Sequence, residues 1–126
     1  MSAEFPLRVL IAENHADVSD SLVQLINSEP DMRCVGQVAC AGAVLTAVCD
    51  SRANALVLDL GLQGGSGLEL IEELARQAPQ LRIVVFSGHA SDVLARETVH
   101  RGAAAFVIKG SDPARLLDEL RGADTH

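Results

Sequence analysis

The sequence predicts an α/β fold in which a five-stranded parallel sheet is doubly wound with five helices. Short apolar segments rich in β-branched residues alternate with longer segments whose apolar residues recur at helical spacing. The strand segments are apolar along most of their length, which is typical of parallel strands covered on both faces. Three phenylalanines are the only aromatic residues among 126, so aliphatic side chains must fill the core.

The first third of the chain predicts two strand–helix pairs. The first strand, 7–12, is strongly apolar, and the helix that follows over 16–28 has one apolar face and is closed by Pro30. The second strand, 33–38, is less apolar. An alanine-rich helix over 41–51 follows it.

The middle of the chain predicts the most hydrophobic strand of the sheet. This third strand, 54–60, carries Asp59 near its end. A glycine-rich loop over 61–67 then leads into a helix over 68–78, and the fourth strand covers 81–87.

The last third predicts a weakly amphipathic helix, a strand and a well-capped helix. The helix covers 91–101 and ends at Gly102, and the fifth strand covers 104–109. Asp112 is the predicted N-cap of the last helix, with Pro113 in its first turn. The weak apolar face of the fourth helix consists of Val93, Leu94 and Val99.

Composition and charge exclude several classes of function. Ten basic against seventeen acidic residues give a formal charge of −7, which disfavours direct contact with nucleic acid. The sequence shows neither a signal-peptide pattern at its start nor a run of about 18 apolar residues, so we expect a cytoplasmic protein without membrane contact. The three cysteines lack metal-ligand spacing and are interpreted as buried, reduced thiols.

Polar residues stand at the carboxyl end of four predicted strands. Glu13 and Asn14 follow the first strand, Asp59 ends the third, Ser87 ends the fourth and Lys109 ends the fifth. Ligands bind at this edge of an open parallel sheet, so we expect these side chains to converge there. The sequence therefore predicts an acidic site that contains one lysine. His15, His89 and His100 are interpreted as surface or packing residues rather than ligands, with His89 as a hypothetical border of the site.

Five segments together resemble the receiver domain of response regulators. They are VLIAENH (9–15), LVLDL (56–60), GGSG (64–67), VVFSGH (84–89) and GAAAFVIK (102–109). The details are most similar to the branch whose members usually carry a C-terminal helix-turn-helix DNA-binding domain. The resemblance implies a flavodoxin-like, CheY-like fold with strand order 2-1-3-4-5. It also implies a single receiver domain over 1–126, with no output domain in this chain.

The resemblance implies a role for each residue of the site. Asp59 is the expected acceptor of a phosphoryl group from a sensor histidine kinase or a phosphotransfer protein. Lys109 and Ser87 are expected to contact the phosphoryl oxygens. The chain is then no enzyme in the usual sense, since it catalyses only its own phosphorylation and dephosphorylation.

The resemblance also implies a Mg²⁺ site and a conformational switch. The metal ligands are expected to be Glu13, Asn14, Asp59 and the backbone carbonyl of Gly61. Relatives usually have a second acid where Asn14 stands, so we expect weakened Mg²⁺ affinity. Ser87 and Phe106 are the expected switch pair, which shifts the face formed by the fourth helix, fifth strand and fifth helix. Formation of a homodimer on phosphorylation is a further hypothesis.

Other functions on the same fold remain to be weighed. A pseudo-receiver, which binds proteins without phosphorylation, is the main alternative because Asn14 replaces an acid and Gln63 replaces a frequent proline in a looser loop. A phosphatase of the haloacid dehalogenase type needs an acid where Gly61 stands. A flavodoxin-like cofactor binder needs a phosphate-binding loop after the first strand, where Glu13 lies instead.

Overall fold

One five-stranded parallel sheet, in the order β2-β1-β3-β4-β5, forms the centre of the molecule. The computed structural model describes residues 6–89 and 91–122. The strands are β1 (Leu7–Ala12), β2 (Met32–Val38), β3 (Ala55–Leu58), β4 (Arg82–Ser87) and β5 (Ala105–Ile108). The helices are α1 (Ala16–Asn27), α2 (Val44–Ser51), α3 (Gly67–Gln77), α4 (Asp92–His100) and α5 (Pro113–Arg121). The predicted fold class and strand order are confirmed.

Alternating side chains of the strands build one apolar layer on each face of the sheet. On one face, Val9 and Ile11 of β1 pack with the buried residues of α1 and α5. On the other face, Leu10 of β1 and Leu56 of β3 pack with the buried residues of α2 and α3. Burial of aliphatic area on both faces stabilises the sheet by about 25 cal/mol per Å² removed from water.

Two predicted elements end earlier or begin later than expected. β3 ends at Leu58 because the chain turns directly after Asp59, where the Gly61 N–H donates back to the Asp59 carboxylate. α2 is preceded by a 3₁₀ turn at Ala41–Ala43. The N–H of Ala41 donates to the carbonyl of Gln63 at 2.8 Å, which ties this turn to the loop after β3. That loop is therefore anchored rather than loose.

The predicted apolar face of the fourth helix is wrong at Val93 and Val99, while Leu94 is half-buried. Val93 is 73% exposed and Val99 is 49% exposed. Thr98 is the buried residue of α4, and its hydroxyl donates to the Ala95 carbonyl at 2.8 Å. A threonine can be buried here because its hydroxyl is satisfied within its own helix. Arg101 also fixes the orientation of the helix end, since it pairs with a glutamate of α3 at 3.5 Å.

The cysteines are reduced, as expected, but two of them are not buried. Cys40 and Cys49 are exposed and Cys34 is half-buried. Cys40 lies in the loop before α2, and Cys49 lies on the outer side of α2, away from the buried Val44 and Val48. Within the described part of the chain, none of the helices combines the length and apolar character that crossing a bilayer requires.

Arg121 at the end of α5 joins the C-terminal helix to the turn before β2. Its guanidinium donates to Glu29 at 2.6 Å and to Asp31 at 2.7 and 3.0 Å. These contacts cross about 90 residues of sequence and hold the pKa of the Asp31 carboxyl below its usual value. They therefore join the C-terminal end of α5 to the turn that follows α1.

We predict that Arg121→Gln lowers the free energy of unfolding by about 1 kcal/mol, because water screens these half-exposed pairs. The Asp31 pKa is depressed in the folded state, so its contribution is present above the usual carboxyl pKa of about 4 and disappears as the pH falls through the depressed value. Urea unfolding at neutral and acidic pH measures both effects. Arg96→Gln is the matched control, since Arg96 forms no ion pair among the described residues. An equal loss in both variants contradicts the prediction.

We predict a larger loss for Gly102→Ala, at the turn between α4 and β5. Gly102 has a φ of +128°, and an added Cβ would lie 2.7 Å from the Cβ of Ala75 on α3. Backbone strain and overpacking together cost about 1–3 kcal/mol. Urea unfolding again measures the change. Gly42→Ala is the control because nothing lies within 4 Å of its added Cβ, and a similar loss there is the contrary result.

Candidate functional site

Backbone hydrogen bonds carry the sheet one residue beyond three of its strands and so place the site residues at one edge. The N–H of Glu13 donates to Val38 at 3.0 Å, that of Asp59 to Ala12 at 2.9 Å and that of Lys109 to the Ser87 carbonyl at 2.8 Å. Each residue thus follows its strand in an extended register. The predicted convergence of the strand ends is present in the backbone.

The ammonium group of Lys109 joins two buried carboxylates. Its Nζ lies 3.0 Å from Oε1 of Glu13 and 3.6 Å from Oδ2 of Asp59. Glu13 is 3% exposed and Asp59 is 6% exposed. Two buried carboxylates without a cation would incur a large desolvation and repulsion cost, which the ammonium offsets. The structure therefore brings together the three charged residues that the sequence predicted.

Glu13 has a different partner for each of its carboxylate oxygens. Oε2 accepts from the backbone N–H of His15 at 3.2 Å and lies 2.9 Å from Nδ1 of the same residue. Oε1 faces Lys109 as an ion pair but accepts no aligned hydrogen bond. Burial by itself raises the pKa of the Glu13 carboxyl, but the hydrogen bonds of His15 and the charge of Lys109 outweigh it. The net pKa lies below its usual value, so Glu13 is a carboxylate at neutral pH.

Asp59 is fixed by the turn that follows it. The N–H of Gly61 donates to Oδ1 of Asp59 at 2.9 Å. A Cβ added at Gly61 would lie 3.4 Å from the same oxygen, so the turn closes tightly around the carboxylate. One Asp59 oxygen is thus held by the backbone and the other faces the ammonium of Lys109.

The site offers ligand atoms for a divalent cation. Glu13, His15 and Asp59 each present one such atom, and these atoms all lie within 4.8 Å of one another. Oδ1 of Asn14 is buried and has no hydrogen-bond partner. A buried amide oxygen left without a partner is unfavourable in a folded protein unless a cation or a water satisfies it. The donors therefore fit a cation that prefers oxygen ligands.

Ser87 and Phe106, the expected switch pair, lie on the neighbouring strands β4 and β5. The Ser87 hydroxyl is buried and accepts the N–H of His89 at 3.1 Å, so its own proton is available to another acceptor. His89 is exposed beside it. Phe106 is half-buried against the apolar layer of α2 and α3 and lines an open depression of about 330 Å³ between α4 and α5.

Two residues near the carboxylates were not found by sequence reasoning. His15 was interpreted as a surface or packing residue, yet it is both exposed and in contact with Glu13. The contact could have been inferred from the sequence, because Glu13 ends a strand and His15 follows two residues later. Phe86 lies on β4 beneath Lys109, with its ring centroid 5.8 Å from Nζ. Its position on the strand between β3 and β5 was the only indication of this contact.

Comparisons with known proteins agree with the geometry of this site. Residues 9–121 match the model of the response regulator receiver domain family. The nitrate/nitrite response regulator protein NarL of Escherichia coli K12 is 30% identical over 98% of this chain and 57% of its own length. The DNA-binding transcriptional activator DevR/DosR of Mycobacterium tuberculosis is 28% identical over 90% of this chain and 54% of its own length.

A similar solved structure is that of a two-component response regulator of the LuxR family from Aurantimonas sp. SI85-9A1. It has a TM-score of 0.87 at 26% identity and covers 93% of this chain and 84% of that one. The chain spans little more than half the length of the curated relatives, which are DNA-binding and response regulators of the branch that the sequence resembles. By its family match, its sheet order and its strand-end residues, the chain belongs to the response regulator receiver domain family.

Proposed function

We propose that this receiver domain takes a phosphoryl group from a sensor histidine kinase or a phosphotransfer protein onto Asp59. The reaction depends on Mg²⁺, and the only catalysis by the chain is formation and hydrolysis of its own acyl phosphate. The observation that carries the proposal is the ammonium of Lys109 placed 3.6 Å from the Asp59 carboxylate and 3.0 Å from Glu13.

Asp59 is the nucleophile in this proposal. One of its carboxylate oxygens forms a bond to phosphorus while the bond between phosphorus and the donor breaks. The Gly61 N–H holds Oδ1 in place and so orients the carboxylate before the reaction. Gly88, at the end of β4, is exposed with nothing within 4 Å of an added Cβ, which keeps the approach of a donor open.

Positive charge is the second requirement of the transfer, because the phosphoryl oxygens are anionic throughout. Lys109 supplies one charge from its place between the two carboxylates. A Mg²⁺ ion, when bound, would supply further positive charge to the phosphoryl oxygens. The residues that would hold this ion are Glu13, Asn14, Asp59 and, through its carbonyl, Gly61.

Ser87 and Phe106 are the proposed switch. The Ser87 hydroxyl keeps a proton to donate to a phosphoryl oxygen. Movement of Ser87 towards that oxygen would leave space beside β5, and the half-buried Phe106 would turn into it. The exposed apolar residues Val93 and Val99 make α4 a helix with few apolar contacts to lose when it shifts. Such coupling is typically about 1–3 kcal/mol.

The proposed output of the switch is control of transcription through a separate DNA-binding domain and through pairing with a second copy of this chain. The net charge of −7 disfavours DNA binding by this domain itself, so control of transcription would need a separate DNA-binding domain. The names of the relatives support such an output. A homodimer formed on phosphorylation is the corresponding proposal for assembly.

Asn14 favours a second candidate function. Its amide brings no charge to the metal site, which weakens the Mg²⁺ binding on which phosphorylation would depend. In this alternative the chain is a pseudo-receiver, which binds its protein partner without being phosphorylated. The two candidates predict different chemistry for Asp59 and are separated by the following experiment.

We predict that the protein incubated with acetyl phosphate and Mg²⁺ gains the mass of one phosphoryl group. Asp59→Asn abolishes the gain because an amide is no nucleophile here, and Lys109→Ala slows it by about a hundredfold or more through loss of charge stabilisation. Intact-mass spectrometry over time is the measurement.

Asp112→Asn is the matched control, since this acid caps α5 rather than the strand ends. Labelling of the wild type at Asp59 supports the phosphoacceptor. An unlabelled wild type, or equal labelling of Asp59→Asn, supports the pseudo-receiver instead.

We predict that Asn14→Asp tightens Mg²⁺ binding by about tenfold, or about 1.4 kcal/mol, because the substitution adds a full negative charge to the site. Isothermal calorimetry with Mg²⁺ measures the affinity. Asp17→Asn, at an exposed acid in the first turn of α1, controls for the general effect of charge. Equal Mg²⁺ affinity of the wild type and Asn14→Asp contradicts the account of the metal site.

A further inference from the structure

We propose that Arg8 and Arg52 form a binding site for the phosphate group of a small organic phosphate ester. The site is an open cavity of about 350 Å³ between the turn that precedes β3 and the turn that precedes β4. It lies at the amino ends of the strands, at the opposite edge of the sheet from Asp59, and is therefore separate from the proposed phosphorylation. Its polar lining consists of Arg8, Arg52, Asn54 and Gln80, and none of the described residues that line it is acidic.

The positive charge of this cavity is not compensated within the described part of the chain. Neither Arg8 nor Arg52 forms an ion pair there, although the chain has a net charge of −7. Arg82, at the same edge of the sheet, does pair, and its guanidinium lies 3.6 Å from the Glu119 carboxylate. Two guanidinium cations that line one cavity repel each other. A bound dianion would neutralise both, so the charge of the cavity fits an anionic ligand.

The backbone of Arg52 is a second, independent indication of a functional site. Arg52 is the C-cap of α2 with a φ of 55° and a ψ of 38°, and it is the only described residue other than glycine with a positive φ. Glycine is the usual residue at this left-handed position, because a Cβ is unfavourable there. Strained residues of this kind cluster at binding sites. We therefore infer that the side chain of Arg52 has a role that glycine could not fulfil.

Hydrogen bonds hold Arg8 next to the turn formed by Arg52. Nε of Arg8 donates to the Arg52 carbonyl at 2.6 Å, and the backbone N–H of Arg8 donates to Oδ1 of Asn54 at 2.8 Å. Because Nε and Oδ1 take part in these bonds, the Nη groups of Arg8 and the amide nitrogen of Asn54 remain to donate to a ligand. The donors are thus fixed before a ligand binds, which reduces the entropic cost of binding.

These donors fit a phosphate ester better than a carboxylate. The forked N–H groups of a guanidinium match the oxygens of a phosphate, and a phosphate monoester carries a charge of about −2 near neutral pH. The volume of the cavity exceeds that of a phosphate group and lies at the lower end of the range for small-molecule sites, about 300–1,000 Å³. Pro79 and Leu81 also line the cavity and offer apolar contacts to the organic part of an ester.

NMR titration of the ¹⁵N-labelled full chain with inorganic phosphate and with phenyl phosphate tests the proposal. EDTA removes divalent cations, so that Mg²⁺ cannot hold either anion at Asp59. Arg52→Gly removes one guanidinium and introduces the residue that the left-handed turn favours, so the variant is expected to fold. Arg96→Gln is the matched control, because it removes the same charge from an exposed position on α4. Urea unfolding of both variants checks the fold.

We expect both anions to shift the backbone amide signals of Ala53, Asn54 and Gln80. Phenyl phosphate should bind about threefold more tightly than inorganic phosphate, or better, because its ring adds apolar contact. Arg52→Gly weakens the binding of both anions by about tenfold or more through the loss of charge-assisted hydrogen bonds, without lowering the urea midpoint. Arg96→Gln leaves both affinities unchanged.

Equal affinities of the wild type and Arg52→Gly overturn the proposal, as do shifts confined to the opposite edge of the sheet around Gly61 and Ser87. An equal loss of affinity in Arg96→Gln also overturns it, since the effect would then be one of general charge. Phenyl phosphate that binds no more tightly than inorganic phosphate overturns the assignment to an ester. Labelling of Asp59 by acetyl phosphate tests the proposed function independently of all these outcomes.

Discussion

The ion pair of Lys109 with two buried carboxylates is the interaction on which the site depends. In the order β2-β1-β3-β4-β5, Lys109 follows an edge strand, whereas Asp59 and Glu13 follow strands two and three positions away. Neighbouring strands lie about 4.8 Å apart, so only a long side chain reaches both acids. Its stem passes over β4, where the ring of Phe86 lies 5.8 Å from the ammonium and the next residues, Ser87 and Gly88, are small.

The same ion pair sets the electrostatics of the site. One ammonium against two carboxylates leaves a single net negative charge in a nearly buried place. Asn14 keeps an oxygen at the site but removes a charge, and His15 adds a nitrogen.

The sequence predicted the sheet and its charged edge well because both follow from local patterns. Apolar strand segments and the N-cap Asp112 are visible in the sequence, and the Asp112 side chain accepts the backbone N–H of Ala114, as expected of a cap. The orientation of α4 was not predictable, because its apolar residues are few and a buried threonine replaces them. The contact between His15 and Glu13 depends on the backbone turn after β1, and the reach of Lys109 depends on strand order. The spacing of apolar residues along the sequence predicts neither of these two contacts.

A crystal structure of the protein with Mg²⁺ and beryllofluoride, a mimic of the phosphoryl group, tests the central claim most directly. The account predicts that the mimic is bonded to Asp59, that Lys109 Nζ and the Ser87 hydroxyl both donate to it, and that the Phe106 ring has turned inward. A structure in which Asp59 carries no mimic, or in which Lys109 contacts Glu13 alone and leaves the mimic unpaired, contradicts it.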